Sequence, residues 1–374
     1  MGPVRVGVVG CGNISAVYFR NLARFELTQV IACADLVPEK AQQAAEQYGI
    51  PLVLSTEELI HHPDVDLVLN LTVPKAHGVV SLEAVRAGKH VYSEKPLAVT
   101  REEGRAIIEE AARQGVRVGC APDTFLGAAH QTCRQLVDEG AIGAPVGGAA
   151  FMLCHGHESW HPSPEFYYEV GGGPMLDMGP YYLTAMVNLL GPIRSVTGSV
   201  RTTFPERVIT SQPKAGKVIQ VETPTHIAGI LEFECGAVGT IITSFDVWAS
   251  VLPRIELWGT EGSLLVPDPN AFGGTILLRK QDEHDWHEVP VTRPFAGQAR
   301  GLGVADMVAG ILTRARHRAS GTLAMHVLDA MLGFQEASET RAHYLLSSAG
   351  IRPDALPADQ FEETESGWRF NAGT

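Results

Sequence analysis

Short apolar runs alternate with amphipathic segments over the first third of the chain. The runs are rich in β-branched residues, as in Val4 to Val9, and segments with helical spacing, such as Pro38 to Tyr48, follow them. Near-continuous apolar strands that alternate with helices are typical of a parallel sheet covered on both faces. The pattern therefore predicts an α/β domain with a doubly wound parallel sheet over residues 1–122.

The pattern changes after Pro122. Strand-like runs, several with alternating apolar and polar positions, are separated by longer irregular pieces, and helical patterns return at residues 302–316 and 322–347. This order predicts an α+β domain with a large, open, mostly antiparallel sheet packed by helices on one face. We assign residues 123–374 to this second domain and expect its polar end, from about residue 355, to be loosely held.

Composition narrows the class of protein. A chain of 374 residues is long enough for two domains. The formal net charge of -13 repels phosphates, so we expect no nucleic-acid partner. No apolar run reaches the ~20 residues of a membrane helix, and the start of the chain does not predict a signal peptide. Six scattered cysteines without a C-x-x-C pair indicate reduced thiols and a cytoplasmic location.

A glycine-rich turn joins the first strand to the first helical segment. In Gly10-Cys11-Gly12-Asn13-Ile14-Ser15, the first glycine permits a tight turn and the second lets the backbone approach a pyrophosphate at the helix N-terminus. Ser15 stands where the dinucleotide fingerprint has its third glycine. We assign Gly10, Gly12, Asn13 and Ile14 to cofactor binding. A strand–turn–helix without a ligand is the alternative.

An acidic residue, Asp35, ends the second apolar run. An acid at this point holds the ribose hydroxyls of NAD and repels the 2′-phosphate of NADP. The next three residues are Leu36, Val37 and Pro38, so no basic side chain follows that would receive a phosphate. The sequence therefore favours NAD over NADP as the cofactor.

The segment Glu94-Lys95-Pro96 follows a short strand that begins at His90. The carboxyl ends of strands in open α/β sheets are where ligands bind, and a lysine there can donate to a substrate hydroxyl oxygen. An isolated Lys-Pro would be read as a surface lysine beside a turn. Its position after a dinucleotide fingerprint favours a catalytic role for Lys95.

A second pair of candidate catalytic residues, Asp177 and Tyr181, lies in the segment GGGPMLDMGPYY. Their spacing places both side chains on one face of a helix. Pro180 is tolerated only in a first helical turn, so we expect the helix to begin near Gly179 with Asp177 at its cap. A capping aspartate and a core tyrosine are the structural alternative.

Polar and aromatic residues are concentrated between residues 155 and 161. We expect a substrate loop there, in which an indole ring stacks on a sugar face while histidine and glutamate bond its hydroxyls. A metal bound by the His-x-His pattern is the less favoured alternative, and we predict no metal. Arg254, Trp248 and Asp246 are further pocket candidates, although single strand positions are more often structural. The loop candidates are His155, His157, Glu158, Trp160 and His161.

These motifs together resemble the Gfo/Idh/MocA family of oxidoreductases. The resemblance rests on the N-terminal fingerprint, on LTVPKAHGVVSLEAVRAGKHVYSEKPLA and on GGGPMLDMGPYYL. It implies a Rossmann domain followed by an α/β domain whose open sheet forms an oligomer contact, a catalytic Lys95 and a cis Lys95-Pro96 peptide. It also places Thr72, Pro74, His77 and Glu94 near the cofactor. Tyr181, in place of the usual histidine, resembles the glucose-fructose oxidoreductase and dihydrodiol dehydrogenase branches, in which a tyrosine carries the proton.

The sequence thus predicts an NAD-dependent dehydrogenase that acts on a secondary alcohol of a sugar, cyclitol or glycoside. Tyr181, assisted by Lys95, is expected to take the hydroxyl proton, and Asp177 to orient the base or a neighbouring hydroxyl. We expect a homodimer or homotetramer built through the C-terminal sheet. An NAD-retaining glycoside hydrolase or lyase that oxidises its substrate transiently is the alternative, and a non-catalytic NAD-binding regulator is a third possibility.

Overall fold

The computed structural model describes residues 2–371, which form two compact units. The first unit contains the chain up to Leu126, Gln298–Met325, and the chain from Pro353 on. The second contains Gly127–Gly297 and His326–Arg352. This division differs from the predicted one, because two segments assigned to residues 123–374 pack with the first unit.

The first unit is built on a sheet of six parallel strands. In chain order the elements up to residue 126 are β1 (Val4–Val9), α1 (Ser15–Leu22), β2 (Thr28–Ala34), α2 (Pro38–Tyr48), β3 (Leu52–Val53), α3 (Thr56–His61), β4 (Leu67–Asn70), α4 (Pro74–Arg86), β5 (His90–Ser93), α5 (Arg101–Gln114), β6 (Val118–Cys120) and a 3₁₀ turn (Thr124–Leu126). The strand order β3-β2-β1-β4-β5-β6 is that of the dinucleotide-binding α/β fold. The predicted N-terminal Rossmann architecture is confirmed.

The elements after residue 126 are divided between the two units, and the second unit contains a sheet of nine strands. After residue 126 the elements are, in chain order, α6 (Ala128–Asp138), β7 (Pro145–Leu153), a 3₁₀ turn (Glu165–Tyr167), α7 (Gly173–Leu190), β8 (Ile193–Arg201), β9 (Glu206–Val208), β10 (Val218–Gln220), β11 (His226–Phe233), β12 (Val238–Ser244), β13 (Ile255–Gly259), β14 (Gly262–Val266), β15 (Ile276–Lys280), β16 (His287–Val289), α8 (Leu302–Thr313), α9 (Gly321–Thr340), β17 (Tyr344–Leu345), β18 (Phe361–Thr364) and β19 (Gly367–Phe370).

The large sheet has the order β16-β15-β14-β13-β7-β12-β11-β8-β17. Its pairs are antiparallel except for β7 and β12, which run parallel. Helix α7 packs against β7, β11 and β12, and the strands alternate between buried and more exposed positions. One face of the sheet is therefore covered by helix. The strand pairing and this packing together confirm the predicted open, mostly antiparallel sheet with helix on one face.

Gln298–Met325 belongs to the first unit because its backbone bonds to that unit directly. The amide of Cys120, at the end of β6, donates to the carbonyl of Ala319 at 3.0 Å. The buried carboxylate of Asp123 accepts from the amides of Gly301 and Gly303 at 2.8 and 2.9 Å, on either side of the first residue of α8. Such long-range contacts leave no periodicity in the sequence.

The C-terminal segment is also tied to the first unit, contrary to the expected loose tail. β18 and β19 form a hairpin, and the amide of Trp368 donates to the carbonyl of Arg24 at 2.6 Å. The ring of Phe361 packs edge-on against Phe25, with the ring centroids 5.6 Å apart. Apolar side chains in a polar segment hold the hairpin in place. The last part of this predicted tail, residues 372–374, lies outside the described residues.

The predicted start of the helix that carries Asp177 and Tyr181 is wrong. α7 begins at Gly173 with Pro174 in its first turn, and it continues through Pro180 to Leu190. Pro180 cannot donate the usual helical hydrogen bond, but most of the helix beyond it is buried. Tertiary packing outweighs the local penalty of the proline, so Asp177 lies inside the helix rather than at its cap.

Candidate active-site residues

The glycine-rich turn has the shape that a dinucleotide requires. Gly10 has a φ of +102°, and a Cβ at this position would lie 2.6 Å from the carbonyl oxygen of Leu71. A Cβ on Gly12 would meet nothing within 4 Å, so a ligand can approach the backbone there. Ile14, the N-cap residue of α1, makes no side-chain cap. The turn and the helix N-terminus therefore fit a bound pyrophosphate.

Asp35, which follows β2, also supports the glycine-rich turn. Its carboxylate accepts from the amide of Cys11 at 2.8 Å and from the amide of Val37 at 2.8 Å. The side chain is half-buried, and carboxylate oxygens can accept more than one hydrogen bond each. Asp35 is thus held beside the glycine-rich turn in a position compatible with its predicted contact with ribose hydroxyls.

The turn after β4 is shaped by Asn70, the last residue of that strand, which was not among the predicted site residues. Buried Asn70 accepts from the amide and the hydroxyl of Thr72, at 3.2 and 2.6 Å, and its amide group donates to Ser81. Pro74 then starts α4. A polar residue in the otherwise apolar run DLVLNLT was the available signal for Asn70.

His77 joins the turns that follow β4 and β5. Its ring nitrogens lie 3.0 Å from the carbonyl oxygen of Thr72 and 2.7 Å from that of Pro96, and the residue is 1% exposed. Burial lowers the pKa of His77, which favours the neutral ring. The described contacts make His77 a bridge between two turns of the predicted cofactor site.

Lys95 follows β5, and Glu94 fixes its backbone. The Glu94 carboxylate accepts from the Lys95 amide at 3.0 Å and from the hydroxyl of Tyr18 at 2.8 Å, while Glu94 itself is 8% exposed. The Lys95-Pro96 peptide is cis, as the resemblance implied. Tyr18 could not be singled out from the sequence, because nothing in the spacing of α1 distinguishes it from an ordinary core tyrosine.

In the second unit, Asp177 and Tyr181 lie one turn apart on α7. Tyr181 is 7% exposed. The Asp177 carboxylate is 3.8 Å from Nε2 of His157, whose ring stacks on Tyr167 with the centroids 3.9 Å apart. Asp177 is therefore brought together with one of the predicted loop residues.

The other histidines of the 155–161 loop lie among aromatic rings. His155 stacks on Trp248 at a centroid separation of 3.4 Å, and the ring of Trp160 is tilted against that of His157. Trp160 is 62% exposed, which leaves its ring accessible for stacking. Burial lowers the pKa of His161. The loop thus presents accessible aromatic surface, as expected for contact with a sugar face.

Glu158 differs from its expected role as a ligand of substrate hydroxyls. It is buried, and its carboxylate accepts from Tyr168 at 2.6 Å and from Arg207 at 3.0 Å. Arg207 also pairs with Asp246, whose carboxylate accepts from Thr225 at 2.8 Å. We call Glu158, Arg207 and Asp246 the buried ion triad. It links the loop to two other segments, so the contacts of Glu158 are structural.

Within residues 2–371, no three histidine, cysteine, aspartate or glutamate side chains come together in the manner of a metal site. Over the same residues, no helix has both the length and the apolar character needed to cross a bilayer. Arg254, a further pocket candidate, lies 3.7 Å from Asp268 and is half exposed.

The fold of the first unit and the turn after β1 define a dinucleotide-binding domain of the Rossmann type. The chain belongs to the Gfo/Idh/MocA family: the model of the oxidoreductase family with an NAD-binding Rossmann fold matches residues 4–121. The model of the family's C-terminal domain matches residues 130–265. The family resemblance and the NAD cofactor are therefore confirmed.

Relatives and solved structures agree with this assignment. The chain is 34% identical to the 1,5-anhydro-D-fructose reductase of Ensifer adhaerens over 284 residues, 74% of this chain and 80% of the relative. It is 33% identical to the inositol 2-dehydrogenase of Burkholderia cenocepacia (strain HI2424) over 299 residues, 76% and 81% of the two chains. Levoglucosan dehydrogenase in complex with NADH and L-sorbose has the same fold, with a TM-score of 0.80 at 20% identity over 93% of this chain and 100% of that one.

Proposed function

We propose that this oxidoreductase transfers a hydride between NAD and a secondary alcohol of a sugar, cyclitol or glycoside. The support comes from relatives named as inositol dehydrogenases and as an anhydrofructose reductase. The observation that carries the proposal is the placement of Asp177 and Tyr181 on one face of α7. An acid and a phenol so placed supply an orienting group and a proton carrier.

The residues of the first unit are proposed to hold and orient the cofactor. Gly10, Gly12, Asn13 and Ile14 would bind the pyrophosphate with their backbone, and Asp35 would accept from ribose hydroxyls. Support comes from the cradle around Gly10, which a side chain would fill. Thr72, Pro74, His77 and Glu94 line the neighbouring turns of the same unit.

The catalytic tasks are proposed for three side chains. When bound, NAD supplies the acceptor for the hydride. Tyr181 takes the proton of the reacting hydroxyl while the C–H bond of the carbon that carries this hydroxyl breaks. Asp177 orients a neighbouring hydroxyl. A phenol has a reference pKa near 10, so a positive charge must favour deprotonation, which is the task proposed for Lys95. In the loop, Trp160 is proposed to stack on the sugar face, and His155, His157 and His161 to bond its hydroxyls.

The two other activities that the sequence left open have no support from the comparisons. The relatives reported above are named as a reductase and dehydrogenases, not as hydrolases or lyases. A non-catalytic regulator is also disfavoured, because the matching family model is that of an oxidoreductase.

The test is to incubate the purified full-length chain with NAD and myo-inositol, scyllo-inositol, levoglucosan or D-glucose, and with NADH and 1,5-anhydro-D-fructose. We expect at least one compound to change the nicotinamide absorbance in proportion to the enzyme added. The Tyr181→Phe variant serves as the matched control for contaminating dehydrogenases. An unchanged absorbance with every compound, while NAD binding is intact, would contradict the proposed substrate class.

Assembly through the large sheet, as a homodimer or homotetramer, is proposed on the strength of its less covered face. Ile230 on β11, Val238 on β12 and Trp258 on β13 are 46%, 53% and 38% exposed. Apolar side chains on a sheet face favour association with another surface. Light scattering coupled to size exclusion should give a mass above that of one chain. The predicted cytoplasmic location stays a prediction.

A further inference from the structure

A buried hydrogen-bond chain links the cofactor-binding helix to the proposed catalytic lysine. Tyr18 lies on α1, the helix that begins directly after the glycine-rich turn, and it is 0% exposed. Its hydroxyl donates to Oε1 of Glu94 at 2.8 Å, and Oε2 of Glu94 accepts from the backbone amide of Lys95 at 3.0 Å. One carboxylate thus connects two segments that lie 76 residues apart in sequence.

The hydrogen-bond chain from Tyr18 through Glu94 to Lys95 is sensitive to the loss of the Tyr18 hydroxyl. Hydrogen bonds to an ionised acceptor are about twice as strong as those between neutral groups. Glu94 is 8% exposed, so water cannot readily replace a lost donor. Without the Tyr18 hydroxyl, one carboxylate oxygen loses its donor, and the carboxylate can turn away from the Lys95 amide.

We infer that Tyr18 is a positioning residue: its phenol holds the Glu94 carboxylate, and Glu94 in turn holds the backbone at Lys95. The inference rests on the proposed function of Lys95. Helix α1 then has two tasks. Its N-terminus follows the cofactor-binding turn, and Tyr18 within it positions the backbone of Lys95 through Glu94. Tyr18 is assigned no contact with the reacting atoms or with the substrate.

Tyr92 provides a matched control. It lies on β5, three residues before Lys95, and it is also 0% exposed. Its hydroxyl is buried and has no hydrogen-bond partner among the described residues. Tyr92→Phe therefore removes the same atom from the same unit without breaking a hydrogen bond, and it should leave turnover unchanged.

The first experiment measures the surroundings of Lys95 without any substrate. The lysines of the full chain are dimethylated with ¹³C-formaldehyde, and the Lys95 resonance is assigned by its loss in Lys95→Arg. In Tyr18→Phe with NAD bound, we expect this resonance to shift or broaden, whereas in Tyr92→Phe it should superimpose on that of the wild-type protein. A Lys95 resonance unchanged in Tyr18→Phe would overturn the inference.

The second experiment is a double-mutant cycle on turnover, with the substrate that the absorbance assay identifies. We expect Tyr18→Phe to lower kcat about ten- to hundredfold while the Kd for NAD changes less than about threefold. In the Glu94→Gln background, the same change should lower kcat by less than about twofold, because Tyr18 acts through Glu94. Equal losses in both backgrounds would show that Tyr18 acts independently, which contradicts the inference.

The two experiments also separate the inference from the proposed function. If no substrate is turned over, the Lys95 resonance still reports whether Tyr18 positions the lysine. If Tyr18→Phe does not fold, Glu94→Gln is compared instead, and the Lys95 resonance should shift with Tyr18 intact. If the Lys95 resonance shifted as much in Tyr92→Phe as in Tyr18→Phe, the change would be explained by altered packing alone, and the inference would be overturned.

Discussion

The turns of the first unit and the loop after β7 in the second are both rich in polar residues, but they use them differently. In the first unit, Asp35, Asn70 and Glu94 each accept from a backbone amide, so the side chains shape turns. In the second, Glu158 bonds Tyr168 and Arg207, so side chains bond one another. Polar residues that follow the parallel strands therefore hold backbone turns in place, whereas Glu158 in the long loop joins side chains of separate segments.

The largest expected effect concerns the proposed catalytic groups. Lys95→Ala and Tyr181→Phe should each lower turnover about 10²- to 10⁴-fold, because each removes a group that moves or stabilises a proton. The measurement is kcat with the identified substrate. Tyr182→Phe, one residue along α7 and outside the proposed chemistry, should retain turnover within about threefold. Normal turnover in Lys95→Ala and Tyr181→Phe would remove the catalytic assignment.

A comparable effect, on stability rather than turnover, is expected in the buried ion triad. Arg207→Met leaves the carboxylates of Glu158 and Asp246 buried without their cation, which should lower the free energy of unfolding by about 3–5 kcal/mol. Urea denaturation gives the value. Arg194→Met, at an ion pair whose arginine side chain is 63% exposed, should cost less than about 1 kcal/mol. Similar stability of the two variants would count against a structural role for the triad.

Coenzyme preference tests the turn after β2. Asp35→Asn keeps an oxygen that can accept from the Cys11 amide but removes the negative charge. The ratio of NADP to NAD affinity should rise about tenfold, because repulsion of the 2′-phosphate is lost. Fluorescence titrations with both coenzymes measure the ratio. An unchanged ratio would mean that another residue sets the preference.

The pH dependence of stability should reflect histidines that are buried as neutral rings. Nε2 of His326 accepts from the Ile193 amide at 3.0 Å, so its protonation breaks a hydrogen bond, and burial lowers its pKa from 6.5. The unfolded chain then binds the proton more readily, so stability is lost as the pH falls below about 6.5, by at most about 1.4 kcal/mol per pH unit for one proton.

Urea denaturation across this range, compared with His326→Gln, measures the contribution of the His326 ring. The variant should show a shallower loss of stability at acid pH, because glutamine does not titrate. Asp123, whose pKa burial raises to about 6, contributes with the opposite sign, since it destabilises the fold as the pH rises. Parallel curves for the variant and the wild-type protein would exclude His326 as a source of the pH dependence.

The smallest effect is expected at Trp160. Because its ring is 62% exposed, Trp160→Ala should barely change stability, yet the loss of stacking should raise KM about three- to tenfold with little change in kcat. Trp258→Ala on β13 is the control and should leave KM unchanged. If Trp160→Ala also left KM unchanged, the loop would lose its proposed role in substrate binding.

Local patterns predicted most of the first unit. The apolar run Val4 to Val9 and the helical segment Pro38 to Tyr48 agree with the observed β1 and α2. The short β3 and α3 were missed, because a strand of two residues and a helix of six carry too little periodicity.

Long-range contacts were beyond the reach of sequence reasoning. Nothing local indicates that Asp123 bonds the backbone at the start of α8, or that Arg207 reaches the loop residue Glu158, 49 positions earlier. The last long helix ends at Thr340, seven residues before its predicted end, where Arg341 adopts a φ of +55°. Such outcomes depend on packing partners, which one sequence does not reveal.

The hairpin of β18 and β19 has a consequence for how the protein is made. Phe25 and the carbonyl of Arg24 receive their partners, Phe361 and Trp368, from a segment that is synthesised long after them. Domains generally fold from the N-terminus during synthesis, but here the first unit lacks part of its cover until residues 361–370 have been made. A nascent chain halted before residue 353 should therefore expose the apolar surface around Phe25, just after α1. Chaperones should recognise it for longer than the protein that contains the hairpin.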